Sequence, residues 1–318
     1  MKAIRFHEFG GAENLRVDEI ETPQPGAGEV LIKTAAAGIN FADIMLRKGK
    51  YFFRPPLPFV PGFEAAGTIE IVGDGVTNLQ TGQRVAAMMR GGGYAEYIVA
   101  SAIQIVPIPD ELDFGEATAL LVQGLTALAL LQDLRAGQSI LIHGAAGGVG
   151  SLLVQLAKQR GARVLGTASS PEKLEKVANL GADAGINYTE ADWTKQVLQA
   201  TGGKGADLII EMVGGEIGRR NFECLAMKGT MIVYGAASAE DFEISALSLL
   251  GKMQTVKGYN LNLETPENIS RFGAELMQSV AGGNLKVSVT EFPLEQAAEA
   301  HRAVEGRKTT GKVVLTIE

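Results

Sequence analysis

Ser139-Ile-Leu-Ile-His-Gly-Ala-Ala-Gly-Gly-Val-Gly150-Ser-Leu-Leu-Val-Gln-Leu-Ala-Lys158 is the stretch on which the rest of the chain turns. A short apolar run leads into a glycine-rich turn, and Val149, Leu152, Leu153 and Leu156 then recur at helical spacing. Strand, tight turn and helix are the result, and that unit holds a dinucleotide pyrophosphate. The first N–H groups of a helix lack intrahelical partners and carry the positive end of its dipole. Glycine lets the backbone approach the phosphates without a Cβ in the way. The pattern departs from G-x-G-x-x-G at one place: Ala145 takes the first position, while Gly147 and Gly150 keep the other two. Gly147, Gly148, Val149 and Gly150 are assigned to the pyrophosphate.

After this unit the chain alternates strand and helix. Strands are expected at Arg163–Ala168, Ala184–Tyr188, Asp207–Met212, Thr230–Tyr234 and Thr255–Tyr259. Helices are expected at Pro171–Leu180, Asp192–Ala200 and Ile217–Met227. Such alternation predicts a parallel sheet covered on both faces. Cofactor choice is read at the end of the second strand, where an NAD site places Asp or Glu about 20 residues after the turn. Here the strand runs out as Ser169-Ser170-Pro-Glu-Lys173. No carboxylate stands at the strand tip to repel a 2′-phosphate, and Lys173 lies one turn on. Ser169 and Lys173 therefore favour NADPH, although Ser-Ser-Pro also reads as a plain helix cap.

Upstream, Glu29–Lys33, Ala65–Val72, Arg84–Met89 and Tyr94–Val99 are short strands separated by Gly26-Ala-Gly28, Gly73-Asp-Gly75 and Gly91-Gly-Gly93. They predict a compact β-rich or barrel-like domain, with a helical stretch from Phe114 to Leu131 leading into the nucleotide turn. Downstream of the alternating region come helices near Glu267–Ala281 and Leu294–Glu305, and strands at Val287–Glu291 and Lys312–Ile317. The first domain resumes there. The expected bounds are 1–115, 116–256 and 257–318.

Composition narrows the function. A net charge of −7 with no Lys/Arg block argues against nucleic acid as a partner. The single cysteine, Cys224, excludes an intramolecular disulfide framework and any multi-cysteine zinc site, and reads as a core residue. The longest apolar run, Ala117–Leu131, is interrupted by Gln123, Gly124 and Thr126 and falls short of a membrane span. A cytoplasmic protein is expected.

Five segments together carry a family resemblance: Ala37-Gly-Ile-Asn-Phe-Ala-Asp43, Pro61-Gly-Phe-Glu-Ala-Ala-Gly67, Gly124-Leu-Thr-Ala127, His143–Gly150 and Gly258-Tyr-Asn260. In this order they resemble the medium-chain dehydrogenase/reductases, in their zinc-free quinone oxidoreductase branch, which includes zeta-crystallin. Asn40–Gly49 is also similar to the vesicle amine transport protein subgroup. The resemblance implies an α/β chain in which a GroES-like β-rich catalytic domain is split around a Rossmann doubly wound parallel-sheet domain. It also implies an active site in the cleft between the domains and a homodimer or homotetramer. Zinc relatives carry Cys at Asn40, His at Phe63 and Cys near Gln123. Amides are poor zinc ligands and Phe is none, so no metal is expected. His7, His143 and His301 are scattered and expected to be satisfied by local contacts or solvent.

By the same resemblance Asn40, Tyr51 and Thr126 line the nicotinamide end, with the hydroxyl of Tyr51 facing a quinone or enone oxygen. Tyr188 falls beside the adenine ribose, Gly235 and Asn260 beside the nicotinamide half, and Arg307 near the phosphate. Read from the residues alone, Tyr51 is equally an aromatic of its loop, Asn40 a turn former and Arg307 a solvated cation. Quinone oxidoreductases often have a second tyrosine where this chain has Met45, and Glu64 has no evident use. The expected activity is NADPH-dependent quinone reduction. The alternatives are C=C reduction of enones or 2-alkenals in the same cleft, or a non-catalytic NADPH-binding structural or regulatory role.

Overall fold

Lys2–Phe6 (β1) buries Ala3, Ile4 and Phe6 and pairs antiparallel with Leu15–Glu19 (β2) in the computed structural model, which describes residues 1–318. Glu29–Ile39 (β3) runs for 11 residues, past the expected end at Lys33. Its second half is Thr34-Ala-Ala-Ala-Gly-Ile39, in which Gly38 leaves room for the Glu64 and Lys312 side chains that a Cβ there would strike. A helix that the spacing did not announce, Phe41–Arg47 (α1), follows directly. Glu64–Val72 (β4) pairs with one edge of β3 and with Arg84–Met88 (β5). Tyr97–Ser101 (β6) takes the other edge of β3 along Glu29–Lys33, and Ile105–Pro107 (β7) adds to β5.

The expected helix from Phe114 to Leu131 is three pieces. Phe114–Ala119 (α2) is capped by Asp113, whose carboxylate accepts the Gly115 N–H. Leu120–Leu125 widens into a π-helical turn, and Thr126–Leu130 (α3) continues. Gly124 lies in this turn, where a Cβ would sit 2.8 Å from Leu276 Cδ1.

Next come Ser139–Ile142 (β8), Gly148–Gln159 (α4), Arg163–Ala168 (β9), Pro171–Asn179 (α5), Ala184–Asn187 (β10) and Trp193–Ala200 (α6). Ala206–Glu211 (β11), Gly215–Cys224 (α7), Leu225–Val233 (β12), Ala246–Lys252 (α8) and Thr255–Gly258 (β13) complete the run. All six strands are parallel, in the order β10-β9-β8-β11-β12-β13. The helix expected to reach Met227 stops at Cys224, because Leu225 is buried beside Ala206 as the first residue of β12. Leu141, Leu165, Ile209 and Met231 from four neighbouring strands form the core with Trp193, Val197 and Cys224.

After Pro266–Ala281 (α9) the chain returns to the first sheet. Val289–Pro293 (β14) pairs parallel with Lys312–Thr316 (β15), which runs antiparallel along Ala36–Ile39 of β3. Ala297–Glu305 (α10) connects them. Two units result, residues 1–125 with 264–318 and residues 126–263. Residue 116 lies in α2, which packs on β3 and β15 of the first unit. Residue 257 lies in β13, hydrogen-bonded to β12 in the second. No helix is long and apolar enough to cross a membrane.

Candidate functional site

In the second unit the strand order reverses between β8 and β11, and that switch point is where parallel sheets bind ligands, beyond the carboxyl ends of their strands. Gly144, immediately after β8, has φ +62, and its carbonyl turns back to accept the Gly147 N–H at 2.9 Å. Helix α4 then starts at Gly148 with Gly147 as its N-cap, and no side chain caps it. Its first donors are left for an anion. A Cβ on Gly150 would come within 2.2 Å of the Gly144 carbonyl oxygen, so only glycine lets helix and turn meet. The methyl of Ala145, at the position of the missing first glycine, is accommodated from the next strand. Gly166 faces it, and a Cβ there would lie 2.8 Å from that of Ala145. Open donors in a cradle without side chains fit a pyrophosphate.

Most of the other expected cofactor residues follow the ends of neighbouring strands in this unit. Ser169 follows β9, and Ser170 is spent on capping α5, its hydroxyl accepting the Lys173 N–H at 3.4 Å. That hydroxyl also holds the exposed Glu172 carboxyl below the usual carboxylate range, which ties Glu172 to the cap. Tyr188 follows β10, its N–H on the Ala168 carbonyl at 3.3 Å. Gly235 follows β12 and lies against Met212. Asn260 follows β13, its Oδ1 accepting the Asn262 N–H at 3.0 Å. Thr126 is buried at the start of α3. Arg307 belongs to the first unit, in the turn between α10 and β15, with φ +53.

Beneath the cradle runs a buried polar chain that the sequence reading did not find. Asn221 donates from Nδ2 to Glu211 at 2.5 Å, so its Oδ1 accepts from His143 Nε2 at 2.7 Å. His143 Nδ1 is then the acceptor for the Thr167 hydroxyl at 3.1 Å. The other oxygen of Glu211 accepts the N–H groups of Val213 and Gly214 at 2.5 and 2.7 Å. One chain therefore joins the ends of β8, β9 and β11. His143 was expected to be satisfied locally or by water, but its partners lie on a neighbouring strand and on α7. His301 is likewise fully buried, its Nε2 3.2 Å from the Tyr94 hydroxyl, and burial lowers it to about 3. His7 meets Asp18 at the surface.

In the first unit Asn40 sits between β3 and α1, with both ends of its amide engaged. Nδ2 donates to Glu64 Oε1 at 2.8 Å, and Oδ1 accepts from Lys312 Nζ at 2.8 Å. Lys312 also pairs with Glu64, whose second oxygen accepts the Val122 N–H at 2.6 Å. Glu64 thus has a use, and Lys312 is the residue that was overlooked. Asp43 secures the backbone below, its carboxylate accepting the N–H groups of Asn40 at 2.8 Å and Gly62 at 3.0 Å. Tyr51 stacks on Phe52 with ring centroids 3.9 Å apart and packs on Phe53 and Phe63. Gln123 is buried, and its Oε1 has no hydrogen-bond partner. No three His, Cys, Asp or Glu side chains gather as a metal-ligand set.

Comparison with known proteins agrees with this architecture. The alcohol dehydrogenase GroES-like domain family matches residues 26–110, and the zinc-binding dehydrogenase family matches residues 148–278. The quinone oxidoreductase of Rattus norvegicus is 36% identical over 100% of this chain and 98% of its own length. The crystal structure of Escherichia coli quinone oxidoreductase complexed with NADPH superposes with a TM-score of 0.95 at 32% identity, covering 100% of both chains. A 2-haloacrylate reductase from a Burkholderia species is 34% identical over 98% of this chain and 98% of its own. The chain belongs to the quinone oxidoreductases of the medium-chain dehydrogenase/reductase superfamily.

Proposed function

We propose that this protein is an NADPH-dependent reductase of quinones that works without zinc. The observation that carries the reading is the uncapped start of α4 beside a β9 tip that offers Ser169 and Lys173 and no carboxylate. Similarity to quinone oxidoreductases along the whole chain supports the acceptor class. Bound NADPH supplies a hydride, and quinone, NADPH and one proton become hydroquinone and NADP+. The residues divide the rest. Gly147, Gly148, Val149 and Gly150 hold the pyrophosphate, Ser169, Lys173 and Arg307 the 2′-phosphate, and Tyr188 the adenine ribose. Gly235, Asn260 and Thr126 border the nicotinamide, while Asn40 and Tyr51 take the acceptor oxygen. Lys312 supports the zinc-free reading, since its ammonium already supplies a cation at Asn40 and Glu64.

C=C reduction of an enone or alkenal is the second reading, favoured by Met45 and by the 2-haloacrylate reductase relative. NADPH consumption with 1,4-benzoquinone and with an α,β-unsaturated aldehyde, each in chelator, separates the two. Quinone turnover supports the first reading, and turnover of the aldehyde alone supports the second. NADPH binding without consumption of either points to the non-catalytic role. The protein also pairs with itself in this proposal. Helix α8 buries none of its residues, Ile244, Leu247, Leu250 and Met253 stand exposed, and β13 is an open edge strand of the same unit.

A further inference from the structure

Lys312 and Glu64 are 1% and 0% exposed, and a buried ion pair is a weak device for stability. Their geometry suits another task. An amide nitrogen carries two hydrogens, and Glu64 takes one of those on Asn40. The Lys312 ammonium on Oδ1 draws electron density from the amide, and the Glu64 carboxylate keeps the group from flipping. What remains is the second N–H, on a side chain 7% exposed. Val122 locks the carboxylate in turn through its backbone N–H.

We propose that Lys312 and Glu64 are positioning residues that orient and polarise Asn40, so that its second N–H stabilises the charge forming on the acceptor oxygen during hydride transfer. The proposal rests on Asn40 being an acceptor contact. The acceptor gains a hydride and its oxygen then takes a proton from solvent, while no bond to Asn40, Lys312 or Glu64 forms or breaks.

Three variants, the third combining the first two, test this, with the faster of the benzoquinone and the alkenal as acceptor. Asn40→Ala is expected to lower kcat about 100-fold. The charge-balanced pair Lys312→Met with Glu64→Gln is expected to lower kcat about tenfold, with thermal midpoint and NADPH affinity, read by fluorescence titration, near those of the parent. The decisive reading is coupling: on the Asn40→Ala background the paired change costs no further factor. If that pair does not fold, Lys312→Gln with Glu64→Gln, which is also charge-balanced and keeps polar groups at both positions, carries the same comparison. A folded pair with kcat within twofold of the parent overturns the proposal, as does an equal loss on both backgrounds. Unchanged kcat in Asn40→Ala overturns the acceptor-contact reading itself, a different failure from the first two.

Discussion

Burial pushes the Asp43 carboxyl up to about 7, against the downward pull of the Asn40 N–H, Lys312 and the Gly62 N–H. The folded protein therefore holds this proton more tightly than the unfolded chain does. Stability from this group is full below about pH 4 and is lost as pH rises through 7. Relative to Asp43→Asn, the parent should lose stability between pH 4 and 8 with a slope of up to about 1.4 kcal/mol per pH unit, measured by denaturant titration. Equal slopes would remove Asp43 from the balance. At Gly150 the expectation is steric. Gly150→Ala drives a methyl into the Gly144 carbonyl and should cost about 1–3 kcal/mol of stability along with most NADPH binding, checked by melting and fluorescence titration. Parental affinity in that variant would mean that the cradle is not the phosphate site.

Elements differ in how far the sequence announced them. Strand β9 has the bounds expected for it, and helix α5 starts at Pro171 as expected and ends one residue short of Leu180, because their determinants lie within a few residues. Helix α1 was missed because seven residues give too few turns for a period to register. Lys312 was missed because its partner Asn40 lies 272 positions away, and Gly-Lys-Val-Val-Leu reads as an ordinary strand entrance. The chain linking His143, Asn221 and Glu211 escaped for the same reason, since no local pattern pairs residues on separate elements. Its consequence is at the scale of the loops. Glu211→Gln cannot accept all three donors, so one N–H is stranded and stability should fall by about 1–3 kcal/mol. NADPH affinity should fall with it, because Val213 and Gly214 form the loop after β11 at the switch point. Loss of stability with parental affinity would confine the chain to the core.

For the whole molecule, the exposed face of α8 makes assembly a measurable property. Leu247→Lys with Leu250→Lys places two charges on positions 79% and 75% exposed, and light scattering should show the parent as an oligomer and the variant as a monomer. A parental monomer would end that reading. The path of the chain also sets a timetable. Residues 126–263 are contiguous, so the second unit can close as soon as it leaves the ribosome. The first unit has to wait, because the Ala36–Ile39 edge of β3 is completed only by β15. Until Lys312 is synthesised, Glu64 has no counter-ion, and burying its carboxylate would be costly. The positive charge beside Asn40 is thus a late arrival during synthesis, and a nascent chain stalled before it should carry a protease-resistant nucleotide unit behind a β-rich unit still open to digestion.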